Sequence, residues 1–85
     1  MTVSGLVLTL ENDVRTRARA LDALALDSRI TCGEAHGLRL PVVVETASLA
    51  EGETLCESLR NLDGVAFVDV VSIDFSDDVS NPGAA

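Results

Sequence analysis

Leu40-Pro41-Val42-Val43-Val44-Glu45 decides the fold. Three consecutive β-branched residues between a proline and an acid read as a strand, and one this apolar needs cover on at least one face and strand neighbours at both edges. Reading outward, similar units recur on both sides. Upstream lie a β-like run from Gly5 to Leu10, an amphipathic stretch from Val14 to Leu26, and a second β-like run from Arg29 to Glu34. Downstream lie a second amphipathic stretch and a last run from Val65 to Phe75. The order is β-α-β-β-α-β. Right-handed crossovers place both helices on the same face of the sheet. The chain is therefore expected to be α+β: a ferredoxin-like split β-α-β sandwich, with a four-stranded antiparallel sheet in the order 4-1-3-2 and two helices on one face.

Eighty-five residues make one small domain, here expected over residues 1–75, with the acidic stretch 76–85 expected to be disordered. The hydrophobic fraction is 47%, yet Phe67 and Phe75 are the two aromatic residues, so Leu, Val, Ile and Ala must fill the core. That suits a two-layer domain rather than a deep enzyme cavity. Fourteen acids oppose six arginines and no lysine, for a net charge of -8. Phosphate contacts need clustered basic residues, so nucleic acid is not expected as a partner and a basic one is favoured. After Arg60 no basic residue follows, while Asp63, Asp69, Asp74, Asp77 and Asp78 do. The plain structural reading of that run is solvation of an edge strand and tail.

Local signals sharpen the pattern. In the first run Leu6, Leu8 and Leu10 share one side, which is assigned to the core, and Gly5, Val7 and Thr9 share the other. Asn12 or Asp13 caps a first helix whose inward stripe is read as Val14, Ala18, Leu21 and Ala25, with Arg15, Arg19 and Asp22 on an exposed flank and an Arg19-to-Asp22 pair on offer. A hairpin turn is expected near Ala35-His36-Gly37. Pro41 cannot donate to a ladder, so either pairing starts at Val42 or Pro41 marks a bulge. Ser48-Leu49-Ala50-Glu51 resembles a capping box, opening a helix that carries Leu55, Leu59 and Leu62 and ends at Gly64. In the last run Ala66, Val68 and Val70 alternate with Phe67, Asp69 and Val71.

With the leucine side inward, the uncovered face of the sheet carries Val7, Thr9, Thr31, Arg39, Val43, Glu45, Phe67, Asp69 and Val71. A solvated face is normally polar throughout. Val7, Val43, Phe67 and Val71 beside Glu45 and Asp69 therefore mark a docking surface, open either to a partner or to a second copy in a homodimer.

Catalytic and cofactor chemistry is not expected. His36 is the single histidine and sits at a turn; there is no CxxC, no glycine-rich phosphate loop and no GxSxG, and Asp74 to Asp78 lacks the glycine and spacing of a calcium loop. Cys32 and Cys56 are read as free thiols. Met1 to Ser4 lacks the positive region of a signal peptide and no apolar run is long enough to span a bilayer, so a cytoplasmic protein without a membrane span is expected.

Gly5-Leu6-Val7-Leu8, Val42-Val43-Val44-Glu45, Glu53-Thr54-Leu55 and Asn61-Leu62-Asp63-Gly64-Val65, in that order and spacing, make the chain resemble the NapD family, assembly chaperones of the periplasmic nitrate reductase. The resemblance implies a cytoplasmic, non-enzymatic protein. It would bind the twin-arginine signal peptide of the nitrate reductase catalytic subunit and restrain its export until the cofactor has been inserted. The peptide would dock on the open face at Val7, Thr9, Val43, Glu45, Phe67, Asp69 and Val71. The competing reading is a small-molecule-binding regulatory or dimerisation module of the same fold. Such modules usually carry a glycine-rich loop after the first strand, where this chain has Glu11-Asn12-Asp13.

Overall fold

The computed structural model describes residues 1–74. Phe75 and the stretch expected to be a disordered tail lie outside the described residues. The elements run β1 (Thr2–Leu10), α1 (Val14–Leu26), β2 (Ile30–Cys32), β3 (Arg39–Thr46), α2 (Leu49–Arg60) and β4 (Val65–Asp74). All strand pairs are antiparallel in one sheet ordered β2-β3-β1-β4, the predicted ferredoxin-like arrangement.

The inward face of the sheet is built by strict alternation. Leu6, Leu8 and Leu10 of β1 and Leu40, Val42 and Val44 of β3 are each at most 3% exposed, packed under Ala20 and Leu24 of α1 and Leu55 and Leu59 of α2. Fully burying one such side chain is worth about 1.5–3 kcal/mol, so this face carries most of the folding free energy. Strand β1 starts earlier than its apolar residues suggest, because Thr2 and Ser4 continue the buried side at 1% and 4% exposure.

Both helix caps are local chemistry. The Asp13 carboxylate accepts from the Arg15 amide at 2.9 Å. Ser48 Oγ accepts from the Glu51 amide at 3.1 Å, while Glu51 reaches back to accept from the Ala47 amide at 2.9 Å. Arg29 then joins the start of β2 to the start of α2, meeting Glu51 at 2.9 Å and Asp27 at 2.8 Å. These contacts hold both carboxyls below their ordinary range: Asp27 through the Arg29 hydrogen bond, Glu51 through the Ala47 amide and then Arg29.

Helix α1 corrects the expected inward stripe. Ala20 and Leu24 are buried, whereas Val14 is 67% and Leu21 39% exposed, with Ala18 and Ala25 also exposed. The cause is close approach. Gly64 has φ +96°, and a Cβ there would overlap the Thr16 carbonyl and press on Ala20, so the helix meets the turn before β4 through its small side. Arg19 lies 4.0 Å from Asp63 rather than pairing with Asp22.

Pro41 sits inside β3 without a bulge, opposite Val7 of β1. Leu10 N–H donates to Leu38 O and Gly33 N–H to Pro41 O, so alternation turns the proline nitrogen toward β2, where the missing donor falls at the end of that three-residue edge strand. Two hydrogen bonds between His36 and Arg39 close the predicted turn, with Gly37 at φ +63°. Cys32 is exposed and Cys56 buried, both free, and burial pushes both thiols above their usual range.

Candidate functional site: the open sheet face

Strand register sorts the uncovered face into four rows. Glu45, Val3 and Asp74 form the first; Thr31, Val43, Gly5 and Ser72 the second; Pro41, Val7 and Asp69 the third; Arg39, Thr9 and Phe67 the fourth. All seven residues predicted for the site lie on this face. Val43, Phe67 and Val71 are 42%, 61% and 66% exposed, while Val7 and Thr9 are half-buried. Val7, Pro41, Val43, Val71 and Ser72 line a shallow apolar depression of about 280 Å³ in the middle rows.

Val71 reaches this face by a route that simple alternation misses. Leu6 pairs with Val70 but Gly5 pairs with Ser72, so Val71 is the extra residue of a β-bulge. A second irregularity leaves Ala66 unpaired between Val65 and Phe67. Beyond Val71 the parity of β4 flips. Ile73 turns to the helix side opposite Ser4, and Asp74 joins the open face opposite Val3. The room for this comes from Gly5, where a Cβ would stand 2.8 Å from Ser72 Oγ.

The flip rearranges the charges. Glu45 and Asp69 are two strands and four residues apart, about 16 Å, too far to act as one site. Glu45 and Asp74 flank Val3 at one end of the sheet, two strand spacings or about 10 Å apart. Asp74 and Val3 are thus site residues that the sequence reading did not assign. Val3 follows from alternation once β1 is known to start at Thr2, whereas the only signal for Asp74 is a register set by a partner strand. Asp69 stands alone beside Val7, and Arg39 lies at the far end with Phe67.

A deeper cleft of about 410 Å³ lies on the helix side, between α2 and β4, lined by Leu49, Cys56, Glu57, Arg60, Val70 and Ile73. On its polar rim Arg60 pairs with Glu57 at 3.1 Å, beside Glu53. Among the described residues no three His, Cys, Asp or Glu side chains are grouped to hold a metal ion, and no helix is long and apolar enough to cross a membrane. No family model, curated protein or solved structure matches the chain.

Proposed function

We propose that the chain is a cytoplasmic chaperone that binds a twin-arginine signal peptide, that of the periplasmic nitrate reductase catalytic subunit, on its open sheet face, and so restrains export until the cofactor is in place. One observation carries the reading: two carboxylates, Glu45 and Asp74, bracket Val3 at the edge of an apolar patch made by half-buried Val7 and exposed Val43, Val71 and Phe67. Two adjacent arginines leave Cα atoms 3.8 Å apart. Their long side chains can diverge to carboxylates about 10 Å apart. The apolar run that follows them then lies along the sheet toward Phe67.

The two parts do different work. Burying roughly 400 Å² of apolar surface contributes about 10 kcal/mol gross, against an association cost of about 4–15 kcal/mol, so the apolar patch sets the affinity. Exposed ion pairs add only about 0.2–1 kcal/mol each. They set register and choice of partner instead, and a planar guanidinium matches a carboxylate in two hydrogen bonds where an ammonium cannot.

Calorimetric titration with a twin-arginine signal peptide and its twin-lysine counterpart tests this. Binding of the arginine peptide that weakens with the lysine peptide is the expected result; no heat from either at micromolar concentrations overturns the reading.

A further inference from the structure

The first two turns of α1 gather arginines on an otherwise acidic chain. Arg15, Arg17 and Arg19, half of the six arginines, fall within its first two turns. Arg15 and Arg19 project on the solvent side, next to an apolar stripe of Val14, Ala18, Leu21 and Ala25 that the sheet does not cover. Thr16 and Ala20, which meet Gly64, lie on the opposite side of the helix, and among the described residues Val14 stays 67% and Leu21 39% exposed. Leu26, 87% exposed, ends the row of Arg15, Arg19 and Asp22 beside that stripe.

We propose that this flank of α1 in one copy docks on the open sheet face of a second copy, so that the chain associates with itself head to tail. Charge and length both fit. The flank is basic in its N-terminal half, at Arg15 and Arg19, where docking would exchange the exposed 4.0 Å contact of Arg19 with its own Asp63, and turns acidic at Asp22. The open face is acidic at the Glu45 and Asp74 end and basic at Arg39. Thirteen helical residues span about 20 Å at 1.5 Å each. The seven residues of β3 from Arg39 to Glu45, six steps of the strand, span about 20 Å as well. Laid along the strands, α1 therefore sets Arg15 and Arg19 over Glu45 and Asp74, Asp22 nearer Arg39, and Leu26 near Phe67.

The alternative pairing, open face against open face across a two-fold axis, sets Glu45, Asp69 and Asp74 of both copies into one interface against two Arg39 side chains, and like charges brought together cost affinity. The head-to-tail contact leaves each docked copy with its own open face free, so it adds further copies, into a ring or a filament according to the rotation between neighbours. It also uses the surface proposed for the signal peptide, although the occupant here is the chain itself and the contact stands without that reading.

Sedimentation velocity of the full chain over a wide concentration range, with reductant to keep the exposed Cys32 thiol out of the result, is the test. The wild type is expected to show a sedimentation coefficient that climbs with concentration and falls back as salt is raised. Arg15→Glu/Arg19→Glu and Glu45→Arg/Asp74→Arg should each abolish the climb, and mixing the two variants should restore it, because each then offers the flank that the other's face accepts. A wild type that stays monomeric overturns the proposal, as does association that survives the Arg15→Glu/Arg19→Glu change. Peptide titrations of the same two variants separate the readings, since the α1 changes leave the peptide's acidic partners in place.

Discussion

On the helix-covered face of the sheet, β1 contributes Leu6, Leu8 and Leu10 at 1%, 0% and 3% exposure; on the other face, Val7 and Thr9 of the same strand stay half-buried and β4 adds Phe67 and Val71 at 61% and 66%. The covered face has already gained its burial on folding. The open face holds apolar area whose burial is still available to a partner. The two faces should therefore separate cleanly under mutation, one answering in stability and the other in binding.

The largest effect belongs to the covered face. Leu8→Ala removes a side chain with no exposed surface and leaves a cavity between sheet and helices, so denaturant unfolding should report a loss of about 2–5 kcal/mol. A loss under about 1 kcal/mol would mean that the layer repacks around the gap. Next is Gly64→Ala, where α1 meets the turn between α2 and β4. Positive φ and overlap with the Thr16 carbonyl act together, and a cost of about 1–3 kcal/mol is expected by the same measurement.

Phe67→Ser inverts the pattern. Its ring is mostly in solvent, so unfolding should move by no more than about 0.5 kcal/mol. Peptide affinity should nonetheless fall about tenfold, or about 1.4 kcal/mol, in a titration. Equal losses in both assays would erase the distinction between the faces.

The smallest effect is electrostatic. Asp27 and Glu51 have folded-state pKa values below their ordinary 3.8 and 4.5, so their pairing with Arg29 stabilises the fold above those values and is lost as pH falls through the lowered ones. Arg29→Ala should thus lower the denaturation midpoint slightly above about pH 5, and the gap from wild type should close on acidification. A gap that widens in acid has the wrong sign.

Element order, strand order and both helix caps could be read from residues alone, because alternation, helical spacing and cap chemistry act within a few residues. Helix α1 runs from Val14 to Leu26, as the sequence predicts, yet its inward face does not follow from spacing. It carries two stripes, and the bulkier one, Val14 with Leu21, stays outside because only the small side, Thr16 and Ala20, can approach Gly64. The candidate site divides in the same way. Val7, Thr9, Val43 and Glu45 follow from alternation in β1 and β3, where the mutual register is unbroken from Thr2 with Thr46 to Thr9 with Arg39. In β4 the bulge at Val71 depends on how that strand meets Gly5 and Leu6, so the move of Asp74 to the open face has no local sign.

That move supplies the most direct test of the central claim, that Glu45 and Asp74 together select paired arginines beside the apolar patch. Twin-arginine peptide affinity should be measured by calorimetry for wild type, Glu45→Lys/Asp74→Lys and Asp69→Lys. A loss of tenfold or more in the double variant, with a smaller one for Asp69→Lys, is the predicted result. Affinity unchanged in the double variant would contradict the account.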